Sequence, residues 1–135
     1  MIKKIQKNKF FFKNKFQRKK NLKGDVYKII NKKSKNFFGF GELYISCLDK
    51  GISKGWNFHK KMTLNLFVIK GRVTFFLKKD NKIFRINMNE NQNQILTVKP
   101  KVWVKIVNLS SKQSKIINFA NLNHDNNEVI KKEIL

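Results

Sequence analysis

Cysteine, proline and long apolar runs are nearly absent from this chain. Its 135 residues include one cysteine, one proline and six glycines. The lone Cys47 excludes an internal disulfide, and its place in "LYISCL" predicts a small core residue. No linker rich in proline or glycine divides the chain, and no run reaches the 18 or so apolar residues of a membrane span. The N-terminus also lacks the unbroken apolar stretch of a signal peptide, so we expect a cytoplasmic protein without a membrane partner.

Acidic residues and arginine are scarce as well. Eight acids oppose 31 basic residues, of which only Arg18, Arg72 and Arg85 are arginine, and the formal net charge is +23. Bidentate recognition of phosphates or base edges favours arginine, so no specific nucleic-acid partner is predicted. Fourteen of the basic residues fall within residues 1–35. We interpret residues 1–23 as a loosely held, solvated segment, with polyanion binding as an alternative.

From the Gly24-Asp25 turn onward, the chain is a series of short runs with strand character, which predicts one domain over residues 24–135. The runs are rich in Val, Ile, Phe, Tyr, Trp and Thr and leave no room for helices between them. They predict an all-β antiparallel sandwich or barrel. The tail "NNEVIKKEIL" alone has a pattern compatible with a short helix. The predicted strands cover 26–30, 40–48, 64–69, 72–77, 82–86, 94–98, 102–107 and 115–120.

The segment "KGWNFHKKMT" (54–63) contains the strongest candidate for a functional side chain, His59. Imidazole titrates near neutral pH and is suited to proton transfer, although a structural histidine in a cavity wall is the alternative. If the segment is extended, Asn57 and His59 lie on the same side of it. Asp125 of "HDNNE" is predicted to cap a turn, with orientation of His59 as the other possibility.

Further candidates come from cations and aromatic rings on neighbouring strands. A lysine stabilises an enolate or contacts a diphosphate, and an indole ring either stacks on a base or sugar or packs in the core. In "VWVKIV" (102–107), Trp103 and Lys105 share one face of the predicted strand. The predicted substrate-binding residues are Lys54, Trp56, Asn57, Lys61, Trp103 and Lys105.

Three runs together resemble the small cupin proteins related to dTDP-4-dehydrorhamnose 3,5-epimerase. They are "GELYISCLDKGISKGWNFHKKMTLNLFVIKGRVTFFL" (41–77), "VKPKVWVKIVNLS" (98–110) and "INFANLNHDNNE" (117–128). The resemblance implies a cupin jelly-roll β-barrel, also called a double-stranded β-helix. It further implies a homodimer that holds a nucleotide-linked sugar and serves surface-polysaccharide or deoxysugar synthesis.

The chain departs from the full epimerases at their catalytic positions. Their histidine falls on Asn57, their lysine falls on Leu64, and their tyrosine has no counterpart near residues 116–120. The resemblance therefore leaves His59, which is two residues after Asn57 and on the same side of an extended segment, as the catalytic candidate. Two histidines in the whole chain do not complete a cupin metal set, so neither a metal nor another cofactor is expected.

Three functions follow from these observations. The first is a sugar-nucleotide epimerase or isomerase that acts on a dTDP-4-keto sugar with a reduced set of family residues. The second is a binding protein of the same fold without turnover. The third is a lysine-rich protein that binds polyanions.

Overall fold

Short segments with alternating apolar and polar side chains form the regular structure of the described part of this chain, and all of it is β-strand. The computed structural model describes residues 9–135, and within that range it contains twelve strands and no helix. The all-β prediction is therefore confirmed. The strands are β1 (Phe11–Lys15), β2 (Gln17–Lys19), β3 (Val26–Lys28), β4 (Glu42–Leu48), β5 (Ser53–His59), β6 (Leu64–Lys70), β7 (Arg72–Lys79), β8 (Lys82–Asn89), β9 (Gln94–Val98), β10 (Trp103–Asn108), β11 (Ser114–Ala120) and β12 (Val129–Lys131).

Two five-stranded sheets pack face to face as a jelly roll. One sheet has the order β1-β9-β6-β11-β4 and the other has the order β12-β5-β10-β7-β8. Every pair of neighbouring strands is antiparallel. A separate hairpin of β2 and β3 lies outside both sheets. None of the described residues forms a helix of the length and apolar character needed to cross a bilayer.

The core lies between the sheets and follows from strand alternation. On β7, Val73, Phe75 and Leu77 are completely buried, and Leu66 and Val68 of β6 belong to the same cluster. Each such side chain contributes about 1.5–3 kcal/mol through removal of apolar surface from water.

Strand alternation also turns Cys47 of β4 outward, where it is exposed. The prediction that Cys47 is a core residue is therefore wrong.

Residues 11–15 form an edge strand of the five-stranded sheet β1-β9-β6-β11-β4, contrary to the prediction that residues 1–23 are a loosely held segment. Strand β1 pairs with β9, with Phe11 opposite Val98. The Phe11 side chain is 6% exposed, and its ring meets that of Phe84 with centroids 4.9 Å apart. The free energy gained by burying this one large ring exceeds the cost of ordering a lysine-rich strand. Residues 1–8 lie outside the described part of the chain, so the prediction for them stays untested.

Truncation of Phe11 is expected to destabilise the fold strongly. Phe11→Ala should lower the free energy of unfolding by about 3–5 kcal/mol, because it removes a buried aromatic side chain and leaves a cavity. Urea denaturation measures this change. Phe40→Ala is the matched control because Phe40 is 61% exposed, and it should cost about 1 kcal/mol or less. Equal losses in the two variants would mean that β1 is not an integral strand.

Two strands near the candidate site differ from the predicted pattern. Residues 53–59 form β5, whereas the sequence marks strands only before and after them. The tail forms β12 instead of a short helix, and Val129 lies opposite His59 in the β12–β5 ladder. The tail is a strand because β5 presents an unpaired edge for it. Strands β5 and β12 together position the side chains of the candidate site.

Candidate active site

A cavity opens between the two sheets, lined by β4, β11 and β6 of one sheet and by β5 and β10 of the other. It contains about 540 Å³ of empty space, counting its open mouth. One part of its wall is apolar and consists of Leu64, Leu66, Val104, Ile106 and Ile116. The other part carries hydrogen-bonding groups and consists of Tyr44, Ser46, Lys54, Asn57, His59 and Asn118. An apolar pocket with a few convergent polar groups is the usual form of a small-molecule site.

A β-bulge decides which side chains of β5 enter this cavity. In the β10–β5 ladder, Val104 pairs with Asn57 and Lys105 pairs with Gly55, so Trp56 is an extra residue on β5. The bulge allows Lys54 and Asn57 to face the same side although they are three residues apart. Gly55 has a φ of 117°, and a Cβ atom there would lie 2.5 Å from the carbonyl oxygen of Val104. Glycine is therefore required at the bulge.

His59, at the end of β5, is paired with a carboxylate that sequence reasoning missed. Its Nδ1 atom lies 2.8 Å from Oε1 of Glu128, and the two side chains are 12% and 7% exposed. Within residues 9–135, the other ring nitrogen, Nε2, has no hydrogen-bond partner. Because His59 lines the cavity, Nε2 is the nitrogen available to a bound ligand. The pair thus forms a histidine–carboxylate dyad at the cavity wall.

Glu128 is held in place by two consecutive backbone N–H groups that follow β5. Its Oε2 atom accepts hydrogen bonds from the backbone N–H groups of Lys61 and Met62, both at 2.8 Å. Burial favours the neutral acid, but the hydrogen bonds from His59 and from these two N–H groups outweigh it, so the pKa of Glu128 lies below its ordinary value. Glu128 is therefore ionised at neutral pH and fixes the orientation of the imidazole ring.

Asp125 caps the turn before Glu128 and does not contact His59. Its carboxylate accepts the backbone N–H of Asn127 at 2.9 Å, and its carbonyl accepts the N–H of Glu128 at 3.0 Å. The prediction of a turn at "HDNNE" is confirmed, and the alternative that Asp125 orients His59 is wrong. The orienting carboxylate is three residues further along because the turn directs Glu128, and not Asp125, towards β5.

A lysine and a tyrosine line the same cavity as His59. Lys54 donates a hydrogen bond from Nζ to Oγ of Ser46 at 3.0 Å, which links β5 to β4. Tyr44 is on the same face of β4 as Ser46, and its hydroxyl accepts a hydrogen bond from Nδ2 of Asn118 at 2.9 Å. The signal for Asn118 was a single amide in the middle of the apolar run "KIINFA". It is buried at 2% exposure.

The structure brings three of the seven predicted site residues together in the cavity: Lys54, Asn57 and His59. Trp103 and Lys105 belong to the opposite face of β10 from the cavity-lining Val104 and Ile106. There the ring of Trp103 packs on Phe58, with centroids 5.0 Å apart. Strand alternation correctly paired Trp103 with Lys105, but alternation alone does not say which face is inward.

The two remaining predicted residues lie beside the cavity. Trp56, the bulged residue, lines a shallow groove together with Lys131 and Lys132. The side chain of Lys61 lines an open depression near the 121–128 loop, while its backbone N–H holds Glu128. Within residues 9–135, no three His, Cys, Asp or Glu side chains are grouped closely enough to hold a metal ion.

Comparisons with known proteins agree with this architecture. The family model described as WxcM-like, C-terminal (FdtA) matches residues 13–133. A search of curated protein sequences finds no match.

Solved structures with the same fold were found. A dTDP sugar isomerase from Desulfovibrio desulfuricans G20 has a TM-score of 0.81 at 19% identity, over 92% of this chain and 84% of that one. A histidine-to-asparagine variant of the 3,4-ketoisomerase QdtA from Thermoanaerobacterium thermosaccharolyticum, in complex with TDP-4-keto-6-deoxyglucose, has a TM-score of 0.80 at 23% identity, over 93% and 89%. A dTDP-4-dehydrorhamnose 3,5-epimerase from Elizabethkingia anophelis NUHP1 has a TM-score of 0.81 at 14% identity, over 93% and 76%.

Proposed function

The chain belongs to the FdtA family of WxcM-like C-terminal domains, and on that basis we propose that it isomerises or epimerises a nucleotide-linked 4-keto sugar. The observation that carries this proposal is the His59–Glu128 dyad at the wall of the cavity. Both reaction types begin with removal of a proton from the carbon next to the ketone. His59 is the base for that step.

The dyad specifies which ring nitrogen of His59 acts. An ionised carboxylate only accepts hydrogen bonds, so Nδ1 must carry a proton and donate a hydrogen bond to Glu128. The neutral ring then has its free electron pair on Nε2, at the cavity. When Nε2 takes a proton from the substrate, the adjacent carboxylate stabilises the imidazolium that forms. Glu128 thus performs two tasks, selection of the tautomer and stabilisation of the charged ring.

The position of Lys54 supports binding of the diphosphate at the mouth of the cavity. Its ammonium group lies at the open side, tied to Ser46. A nucleotide-linked sugar carries negative charge only on its diphosphate, so the neutral sugar enters between the sheets while the phosphates stay beside the lysine. The formal net charge of +23 attracts such an anion from solution. The ligand named for the QdtA structure, TDP-4-keto-6-deoxyglucose, supports thymidine diphosphate as the carrier.

Incubation of the protein with TDP-4-keto-6-deoxyglucose in deuterium oxide tests the proposal. We expect conversion of the sugar, detected by NMR, together with deuterium at a carbon next to the ketone, detected by mass spectrometry. A product with the ketone moved to the neighbouring carbon identifies a ketoisomerase, and a product with an inverted carbon identifies an epimerase. Binding of the nucleotide sugar without conversion or exchange would instead support the binding protein without turnover.

The remaining sequence-based interpretations stay predictions. A homodimer is supported by the exposed edge strand β4, on which Leu43 and Ile45 are 56% and 54% exposed. The cytoplasmic location, the surface-polysaccharide or deoxysugar pathway and the polyanion alternative also remain untested.

A further inference from the structure

Tyr44 lines the cavity but has no role in the proton abstraction by His59 and Glu128. The Lys54–Ser46 hydrogen bond sets the level of β4 against β5. Tyr44 is the next residue on the cavity face of β4 beyond Ser46, and Asn57 and His59 are the next cavity-lining residues of β5 beyond Lys54. Tyr44 and His59 therefore line the same cavity from the two opposite sheets.

The hydrogen-bond network around Tyr44 determines the direction of its own proton. Oδ1 of Asn118 accepts the backbone N–H of Asn65 at 3.1 Å, so the amide cannot flip without placing two donors against each other in a buried site. Nδ2 of Asn118 is therefore the donor to Tyr44 Oη at 2.9 Å. A phenol whose oxygen accepts this bond keeps its own O–H proton for another acceptor. Among residues 9–135, no acceptor for that proton is present.

We propose that Tyr44 is a catalytic acid and base that moves protons between the two neighbouring oxygens of the sugar, an inference that rests on the proposed function. His59 Nε2 takes the proton from C3, the C–H electrons form the C3=C4 double bond, and the ketone oxygen on C4 takes the Tyr44 proton. The resulting phenolate is stabilised by the N–H of Asn118.

The second half of the reaction reverses these roles and restores both side chains. The phenolate removes the proton from the C3 hydroxyl, the O–H electrons form the new C3=O double bond, and the C3=C4 electrons take the proton that protonated His59 returns to C4. Every proton is accounted for, and no oxidant or other reactant is needed. The donors around a developing enolate oxygen usually supply about 10²–10³-fold in rate, so loss of the phenol should be clearly measurable.

Tyr44→Phe tests this inference, with Tyr27→Phe as the matched control. The chain has only these two tyrosines, and Tyr27 lies on the β2–β3 hairpin at 40% exposure. We expect Tyr44→Phe to lower kcat for TDP-4-keto-6-deoxyglucose about 10²-fold or more, while KM and the melting temperature change little. Tyr27→Phe should keep the unmodified rate. A purely structural role would lower the melting temperature and leave kcat of the folded protein unchanged.

Asn118→Asp provides a second test that does not remove the phenol. A carboxylate still accepts the Asn65 N–H, but its other oxygen accepts the Tyr44 proton and turns it away from the substrate. We expect a comparable loss of kcat. Retention of kcat within threefold by Tyr44→Phe, or equal losses in Tyr44→Phe and Tyr27→Phe, would overturn the role of Tyr44. Absence of conversion and of exchange in the unmodified protein would overturn the proposed function itself and this inference with it.

Discussion

His59→Asn is expected to reduce conversion of TDP-4-keto-6-deoxyglucose, and deuterium incorporation from solvent, by about 10²–10⁴-fold. The amide of asparagine has no basic nitrogen, so the proton next to the ketone loses its acceptor. Affinity for TDP should change little, because the proposed diphosphate contact is with Lys54, five residues before His59 on β5. Isotope exchange followed by mass spectrometry and calorimetric titration with TDP measure the two effects separately.

His124→Asn is the matched control for that change. His124 is the second histidine of the chain, and its Nε2 atom bonds to Asn126 at 3.0 Å in an exposed turn. The variant should retain conversion within about twofold. If His59→Asn keeps full exchange and His124→Asn loses it, His59 is only a wall residue and the base lies in the 121–128 loop.

Glu128→Gln is expected to cost nearly as much activity as the loss of His59 itself, although imidazole remains in the cavity. The single oxygen of glutamine must accept the N–H groups of Lys61 and Met62, so its NH₂ group faces Nδ1 of His59. Nδ1 then becomes an acceptor and the ring proton moves to Nε2, which can no longer take a proton. A comparable amide substitution in a catalytic triad costs about 10⁴-fold for the same reason. We therefore expect a fall of about 10³–10⁴-fold in kcat.

Asp125→Asn separates this tautomer effect from a general change in charge near the loop. Asp125 is also acidic and lies three residues before Glu128, but it contacts only the backbone of its own turn. Its variant should keep at least about half of the activity. Similar losses for Asp125→Asn and Glu128→Gln would contradict the assignment of Glu128 as the residue that positions His59.

The stability of the protein in acid provides an independent test of the hydrogen-bonded state of Glu128 in the dyad. The pKa of Glu128 lies below its ordinary value of 4.5, so the folded chain binds this proton less readily than the unfolded chain. The ionised group therefore stabilises the fold at neutral pH, and this contribution is lost as the pH falls from about 4.5 through the lowered pKa. Glu128→Gln should remove that part of the pH dependence, which urea denaturation at several pH values would detect.

Much of the fold was accessible from local patterns. All eight predicted strand runs coincide with strands, because side-chain alternation and β-branched composition are properties of short segments. Four strands were not predicted, namely β1, β2, β5 and β12, and β1 and β12 depend on partners distant in sequence. Strand β1 was missed because the burial of Phe11 requires Val98 and Phe84. Strand β12 was missed because three residues form a strand only beside the free edge of β5.

The sequence by itself determined the all-β class, the resemblance to cupin sugar-nucleotide enzymes and the choice of His59 as the candidate base. These rest on residue types and on their order along the chain. Only the tertiary structure decided that Glu128 orients His59, that Tyr44 and Asn118 complete the cavity wall, and that Trp103 faces away from it. The physical reason is that 69 residues separate His59 from Glu128 and 74 separate Tyr44 from Asn118. Contacts of this kind depend on which sheet face is inward and on the bulge at Trp56, and neither is encoded in a local pattern.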